Sequence, residues 1–146
     1  MKENKILLLN EPYNKINYSR SDQPIQAPVP VGLWYVMNEH WLTWAMGKNY
    51  KINFIYSMIT EDSHIVKIDD LDTFQKFTTK FCYNNNEKEI DWQKVYTYYD
   101  GIEVNFKFEK RETWLSDKAW EHPCGCIWNK DAINKLQKIT VDNEEI

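Results

Sequence analysis

Residues 52–81, INFIYSMITEDSHIVKIDDLDTFQKFTTKF, set the expectation for the fold. Ile52, Phe54, Tyr56 and Met58 alternate with Asn53, Ile55 and Ser57, the period of a β-strand. Both sides of that alternation hold apolar residues, which predicts a strand in the middle of a sheet. After a polar Glu61-Asp62-Ser63 turn, His64-Ile65-Val66-Lys67-Ile68 reads as a second strand. Asp69 or Asp70 then caps a helix in which Leu71, Phe74, Phe77 and Phe81 recur at helical spacing. Asp72 falls in its first turn, where the helix dipole favours an acid.

Working outward, Lys5 to Asn10 (KILLLN) reads as a short strand. Residues 11–30 are rich in Asn, Ser, Gln and Pro, with Pro24, Pro28 and Pro30 closing the stretch. An irregular loop of that length is either a functional lid or an ordered crossover. Residues 31–36 give another strand, and Asn38 caps a helix to about Lys48 with Trp41, Trp44 and Ala45 on one face. Downstream, Tyr83 to Glu89 is a polar break with three consecutive asparagines. Asp91 caps a short helix to about Tyr98, with Trp92, Val95 and Tyr96 inward. Asp100-Gly101 is a turn into an alternating strand over 102–108. Ala132, Ile133, Leu136 and Ile139 predict an amphipathic helix over 131–139, and 140–146 form an acidic tail. Strands and helices mix without regular alternation, which predicts an α+β fold. The expectation is one compact domain over residues 1–146, with a small mixed or antiparallel sheet and three to four helices.

Composition narrows the function classes. The chain has 146 residues, of which 15% are aromatic, including 7 Trp, and that apolar load excludes intrinsic disorder. The net charge is −4 and only Arg20 and Arg111 are arginines, so a duplex nucleic-acid partner is not expected. No apolar run is long enough to span a bilayer, so no membrane partner is expected either. The first residues offer only Ile6 to Leu9 as an apolar stretch, too short for a signal peptide, so the expected location is the cytoplasm. Heavy use of Lys, Asn and Ile points to an AT-rich genome such as that of a phage or large virus.

Motifs for common chemistries are missing. There is no phosphate loop, no dinucleotide-binding glycine pattern and no nucleophile elbow. His122-Pro123-Cys124-Gly125-Cys126 invites a zinc reading or a Cys-His nucleophile. Cys-x-Cys is the wrong spacing for the usual zinc pairs, so no metal is expected and the three cysteines are read as thiols. Among the carboxylates, Asp100 and Glu103 flank Gly101 at a strand start. There Glu103 can serve as a general base or stabilise a ribosyl cation, or can simply face solvent. The tryptophans exceed the needs of a small core, and some are expected to line a groove that stacks a base or a partner's side chain.

Gly32-Leu33-Trp34-Tyr35, Trp41-Leu42-Thr43-Trp44, Ile90-Asp91-Trp92, Tyr99-Asp100-Gly101-Ile102, Trp120-Glu121 and Gly125-Cys126-Ile127-Trp128-Asn129 together resemble a set of uncharacterised small phage and large-virus proteins. More distantly, the Gly-Leu-Trp strand, the early Trp-rich helix and the late Asp-Gly-Ile-Glu strand resemble ADP-ribosyltransferase-like domains. That resemblance implies an NAD cleft, with Glu103 in the place of the catalytic glutamate and Trp34-Tyr35 as the aromatic wall. Trp41, Trp44, Asp100 and Trp120 complete the expected ligand-binding set. The transferase pattern wants an Arg or His where Leu9-Asn10 stand, and a Ser or Tyr where Val36-Met37 stand. Two classes therefore stay open. One is an ADP-ribosyltransferase-like, NAD- or nucleotide-binding protein acting on a host target. The other is a non-catalytic phage or viral protein that inhibits a host defence through an aromatic groove. The expected partners are a nucleotide small molecule or a host protein, met in the host cytoplasm if the chain is viral.

Overall fold

The computed structural model describes residues 5–9, 18–37, 54–105 and 112–139. The backbone forms strands β1 (Lys5–Leu9), β2 (Leu33–Met37), β3 (Phe54–Thr60) and β4 (Ile65–Ile68), then helix α1 (Leu71–Phe81). A hairpin of β5 (Cys82–Tyr83) and β6 (Asn86–Ile90) follows, then helix α2 (Trp92–Tyr98). The last strands are β7 (Gly101–Val104), β8 (Cys124–Ile127) and β9 (Ile133–Ile139). Seven strands make one sheet in the order β4-β7-β8-β2-β1-β3-β9. Only β4 and β7 run parallel; every other neighbouring pair is antiparallel. The expected α+β fold, with a small sheet and three to four helices, is thus corrected to a mostly β fold: one large mixed sheet with two α-helices among the described residues.

The sheet cannot be flat. β3 is sixth in the order and β4 first, yet only residues 61–64 join them. Five strand spacings across a flat sheet are roughly 24 Å, whereas the five Cα steps from Thr60 to Ile65 reach at most about 19 Å. The sheet therefore curls and carries the two strands towards each other. Hydrogen bonds from Glu61 N to Ala132 O (2.7 Å) and from Asp100 N to His64 O (2.8 Å) pin this short connection at both ends.

Each face of the sheet has its own core. Leu7, Leu33, Tyr35, Met37, Met58, Ile65 and Ile127 fill the inside of the curl. Ile6, Val36, Ile68, Ile102, Val104, Cys124 and Cys126 point outward, beneath the helices and the tryptophans. Parallel β4 and β7 require a crossover, and the segment from α1 to α2 supplies it on that outer face. Asp70 caps α1 by accepting from Thr73 N (2.8 Å), and Phe74, Phe77 and Phe81 are buried as their spacing predicts. Leu71 is exposed instead, because its position in the first turn precedes the packed face.

Two local expectations are corrected. The asparagine stretch is a hairpin turn: Asn84 and Asn85 have φ of 50° and 59°, the left-handed pair of a two-residue type I′ connection. Residues 133–139 are a strand, not a helix. The pairing with β3 slips by one residue where Thr60 meets Ile133 and Ile59 meets Lys135, which leaves Asn134 as a bulge. One extra residue lets Ile133 and Leu136, three apart, both pack inside the curl, so a bulged strand imitates helical spacing. The helix expected over 38–48 and the end of the strand expected to 108 lie outside the described residues.

Candidate functional site

Inside the curl, four strands and one turn bring charged groups together. Glu103 lies opposite Lys67 of β4 on one side and Gly125 of β8 on the other, and Gly125 in turn faces Tyr35 of β2. The Tyr35 ring crosses β8 to reach the glutamate. A Cβ on residue 125 would fall 2.2 Å from Tyr35 Cζ and 2.3 Å from its Oη, so only glycine leaves the ring that path. The Tyr35 hydroxyl donates to Glu103 Oε1 at 2.8 Å. Lys5 Nζ, from β1, lies 2.8 Å from the same oxygen, and Lys67 Nζ donates to Oε2 at 2.6 Å. β1 and β7 are three strands apart in the sheet, so Lys5 and Glu103 can meet only across the inside of a curl.

Asp62 closes the cluster from the turn between β3 and β4. Its Oδ1 accepts from Lys5 at 3.1 Å and from Thr60 Oγ1 at 2.7 Å, and lies 3.3 Å from Lys67 Nζ. Lys5 also donates to Thr60 Oγ1. The inner and outer carboxylates differ in exposure: the Glu103 side chain is 4% exposed and the Asp62 side chain 62%. Lys5 is also buried, at 8% exposed, while Lys67 is one-third exposed. Two buried or half-buried ammonium groups thus stand between two carboxylates, and the four charges cancel.

Burial alone would push the Glu103 carboxyl up. Hydrogen bonds and charge from Lys5 and Lys67 outweigh it and hold the group below the ordinary carboxylate range. Asp62 is likewise raised by burial, but its bonds from Thr60 and Lys5 bring it down to about 2. Burial and then the Glu103 charge push the Tyr35 phenol well above its ordinary value, so it stays a donor. Burial opposes the charge on Lys67, and Glu103 overcomes that and raises its pKa. At neutral pH Glu103, Asp62 and Lys67 are therefore ionised, and the Tyr35 phenol is neutral. A carboxylate held this way is a weak base.

The other nominated residues separate. Trp34 and Tyr35 are adjacent on β2 and therefore point to opposite faces. Trp34 lies against Trp120 on the outer face, with ring centroids 5.0 Å apart, and so is walled off from Glu103 by the sheet. Trp120 is buried and donates its indole N–H to Pro28 O at 3.0 Å. Trp92 and Trp128 do the same to Ala27 O and Tyr99 O, and Trp114 to Thr78 Oγ1. The proline-rich stretch over 18–32 is thus a strap whose Ala27 and Pro28 carbonyls accept the Trp92 and Trp120 indole N–H groups. Bonds between Gln23 and Val31, and a bridge between Ala27 and Ile90, fasten it. Asp100 accepts from Asn129 Nδ2 at 3.1 Å and lies 3.4 Å from His64 Nδ1, joining β7 to its neighbours. Trp41 and Trp44 lie outside the described residues.

Cys124 and Cys126 point into the outer core from β8, and burial pushes the Cys126 thiol well above its ordinary value. Cys124 Sγ donates to Ala119 O at 3.3 Å. A thiol held protonated in an apolar core is a poor nucleophile. Among the described residues no group of three or more His, Cys, Asp or Glu could hold a metal ion. Nor is any helix among them long and apolar enough to cross a membrane.

Lys5, Lys67, Asp62 and Thr60 were not among the residues the sequence singled out. A signal for one of them was present. Lys67 interrupts an apolar strand, as Glu103 interrupts another, and a charge inside an apolar strand implies a buried partner. No family model matches the chain, and searches of curated proteins and of solved structures also find no match.

Proposed function

We propose that the chain is an ADP-ribosyltransferase-like scaffold of phage or viral type that binds a nucleotide, NAD first among them, without turning it over. The state of Glu103 carries this reading. It shares a hydrogen bond with Tyr35, another inward-facing residue of the expected site, yet its two oxygens already take three donors. Loss of nicotinamide from NAD puts positive charge on the ribose, and a carboxylate assists by facing that charge. Here two ammonium groups occupy the carboxylate first, so a cation beside it is disfavoured. The same lysines suit phosphate oxygens. Action on a host target then comes from binding.

A host-protein partner is the second reading, favoured by Ile25 and Val31, which are 46% and 40% exposed on the strap. Melting curves with NAD and ADP-ribose at millimolar concentration, with chromatographic assay of released nicotinamide, test the proposal. The expected result is a raised melting temperature and no nicotinamide. Nicotinamide release by the wild type would overturn the non-catalytic reading. No shift with either ligand would overturn nucleotide binding and leave the host-protein partner.

A further inference from the structure

Asp62 differs from the rest of the charged cluster in being held by the same bonds while standing outside it. Its single oxygen Oδ1 gathers Thr60 Oγ1, Lys5 Nζ and Lys67 Nζ within 2.7–3.3 Å. Three donors converging on one oxygen from three strands, β1, β3 and β4, is the arrangement an oxyanion takes. Glu103 cannot leave, because it is buried behind both lysines; Asp62 sits on a three-residue turn and is mostly exposed. If Asp62 swings away, Lys5 and Lys67 keep only Glu103 to balance them, a net charge of one positive unit beneath the turn.

We infer that Asp62 is the chain's own occupant of an anion site formed by Lys5, Lys67 and Thr60, and that a phosphate or diphosphate group binds by displacing it. This deepens the nucleotide reading and rests on it for the identity of the phosphate's carrier. A phosphate oxygen in the place of Oδ1 takes the same three donors and restores the charge balance. Asp62 then acts as a competing anion that weakens binding in the wild type and selects for ligands carrying more than one negative charge.

Calorimetric titration of wild type and Asp62→Asn with inorganic pyrophosphate and with ADP-ribose, at neutral pH and low salt, tests this. Asparagine keeps the size and the acceptor for Thr60 while losing the charge. The expected result is about tenfold tighter binding of both ligands by Asp62→Asn, with the gain erased by molar salt. A gain for pyrophosphate with no binding of ADP-ribose by either protein would uphold the anion site and overturn the nucleotide reading. ADP-ribose bound equally by both proteins, with pyrophosphate bound by neither, would overturn the anion site and leave the nucleotide reading standing. No gain for either ligand, with Asp62→Asn melting as the wild type does, would also overturn the anion site. Should Asp62→Asn fail to fold, Asp62→Ser carries the same expectations.

Discussion

Gly125 and Tyr35 couple the backbone to the charged cluster. The ring occupies the space that any side chain at residue 125 would need, and its hydroxyl serves Glu103. Gly125→Ala should therefore both overpack the curl and dislodge the phenol, at a combined cost of about 3 kcal/mol or more. Urea unfolding measures it, and a loss below about 0.5 kcal/mol would mean the ring has another path. Tyr35→Phe keeps the packing and removes the bond to a charged acceptor, so it should cost about 1.5–3 kcal/mol. Glu103 was legible in the sequence as a carboxylate beside Gly101 at the start of an alternating strand. Its partners were not, because they come from β1, β2 and β4, and only the register of a curled sheet aligns them. Reading Trp34 and Tyr35 as one wall overlooked strand geometry, which sends neighbours to opposite faces.

At the scale of elements, local chemistry decided the two helices and nothing else as firmly. α1 and α2 each begin at an aspartate whose side chain accepts from a backbone N–H three residues on. Phe77 is 4% exposed and touches Phe81, Trp92 and Trp114 with centroid distances of 4.9–6.0 Å. Phe77→Ala should cost about 3–5 kcal/mol in denaturant unfolding, and a cost below about 1 kcal/mol would place the stripe in solvent. In the hairpin, Asn85 holds φ of 59°, which asparagine tolerates and glycine adopts freely. Asn85→Gly should leave stability unchanged or raise it, whereas Asn85→Val should lose about 1–2 kcal/mol. β9 was misread because a bulge at Asn134 converts the strand's period of two into a spacing of three, which a helix shares. Such a slip depends on the partner strand, so periodicity within one segment does not reveal it.

For the whole molecule, the short β3–β4 connection forces the curl, and the curl gathers the charges. Alternation made β3 and β7 legible, but closure was not, since it follows from sheet order. The cluster also ties global stability to pH. Asp62 and Glu103 have folded pKa values below their ordinary range, so their contribution is complete above the unfolded carboxylate values. It is lost as pH falls through the folded values, which for Asp62 means about 2. Lys67 is shifted upward, so its contribution is complete at neutral pH and is lost only as pH rises beyond about 10.5. Unfolding midpoints should therefore hold steady near neutrality and fall below about pH 4, less steeply in Asp62→Asn. An identical acid limb in wild type and Asp62→Asn would contradict this.

Glu103→Gln bears most directly on whether Glu103 is the fixed centre of a charge cluster or a working catalytic group. Glutamine removes the charge that matches Lys5 and Lys67 while keeping the shape. A buried pair broken on one side costs about 3–5 kcal/mol, which in a chain of this size lowers the melting temperature by roughly 10 °C. The account predicts that drop, together with no nicotinamide release from NAD by either protein. A variant that melts with the wild type, and that abolishes a nicotinamide release the wild type performs, would contradict it.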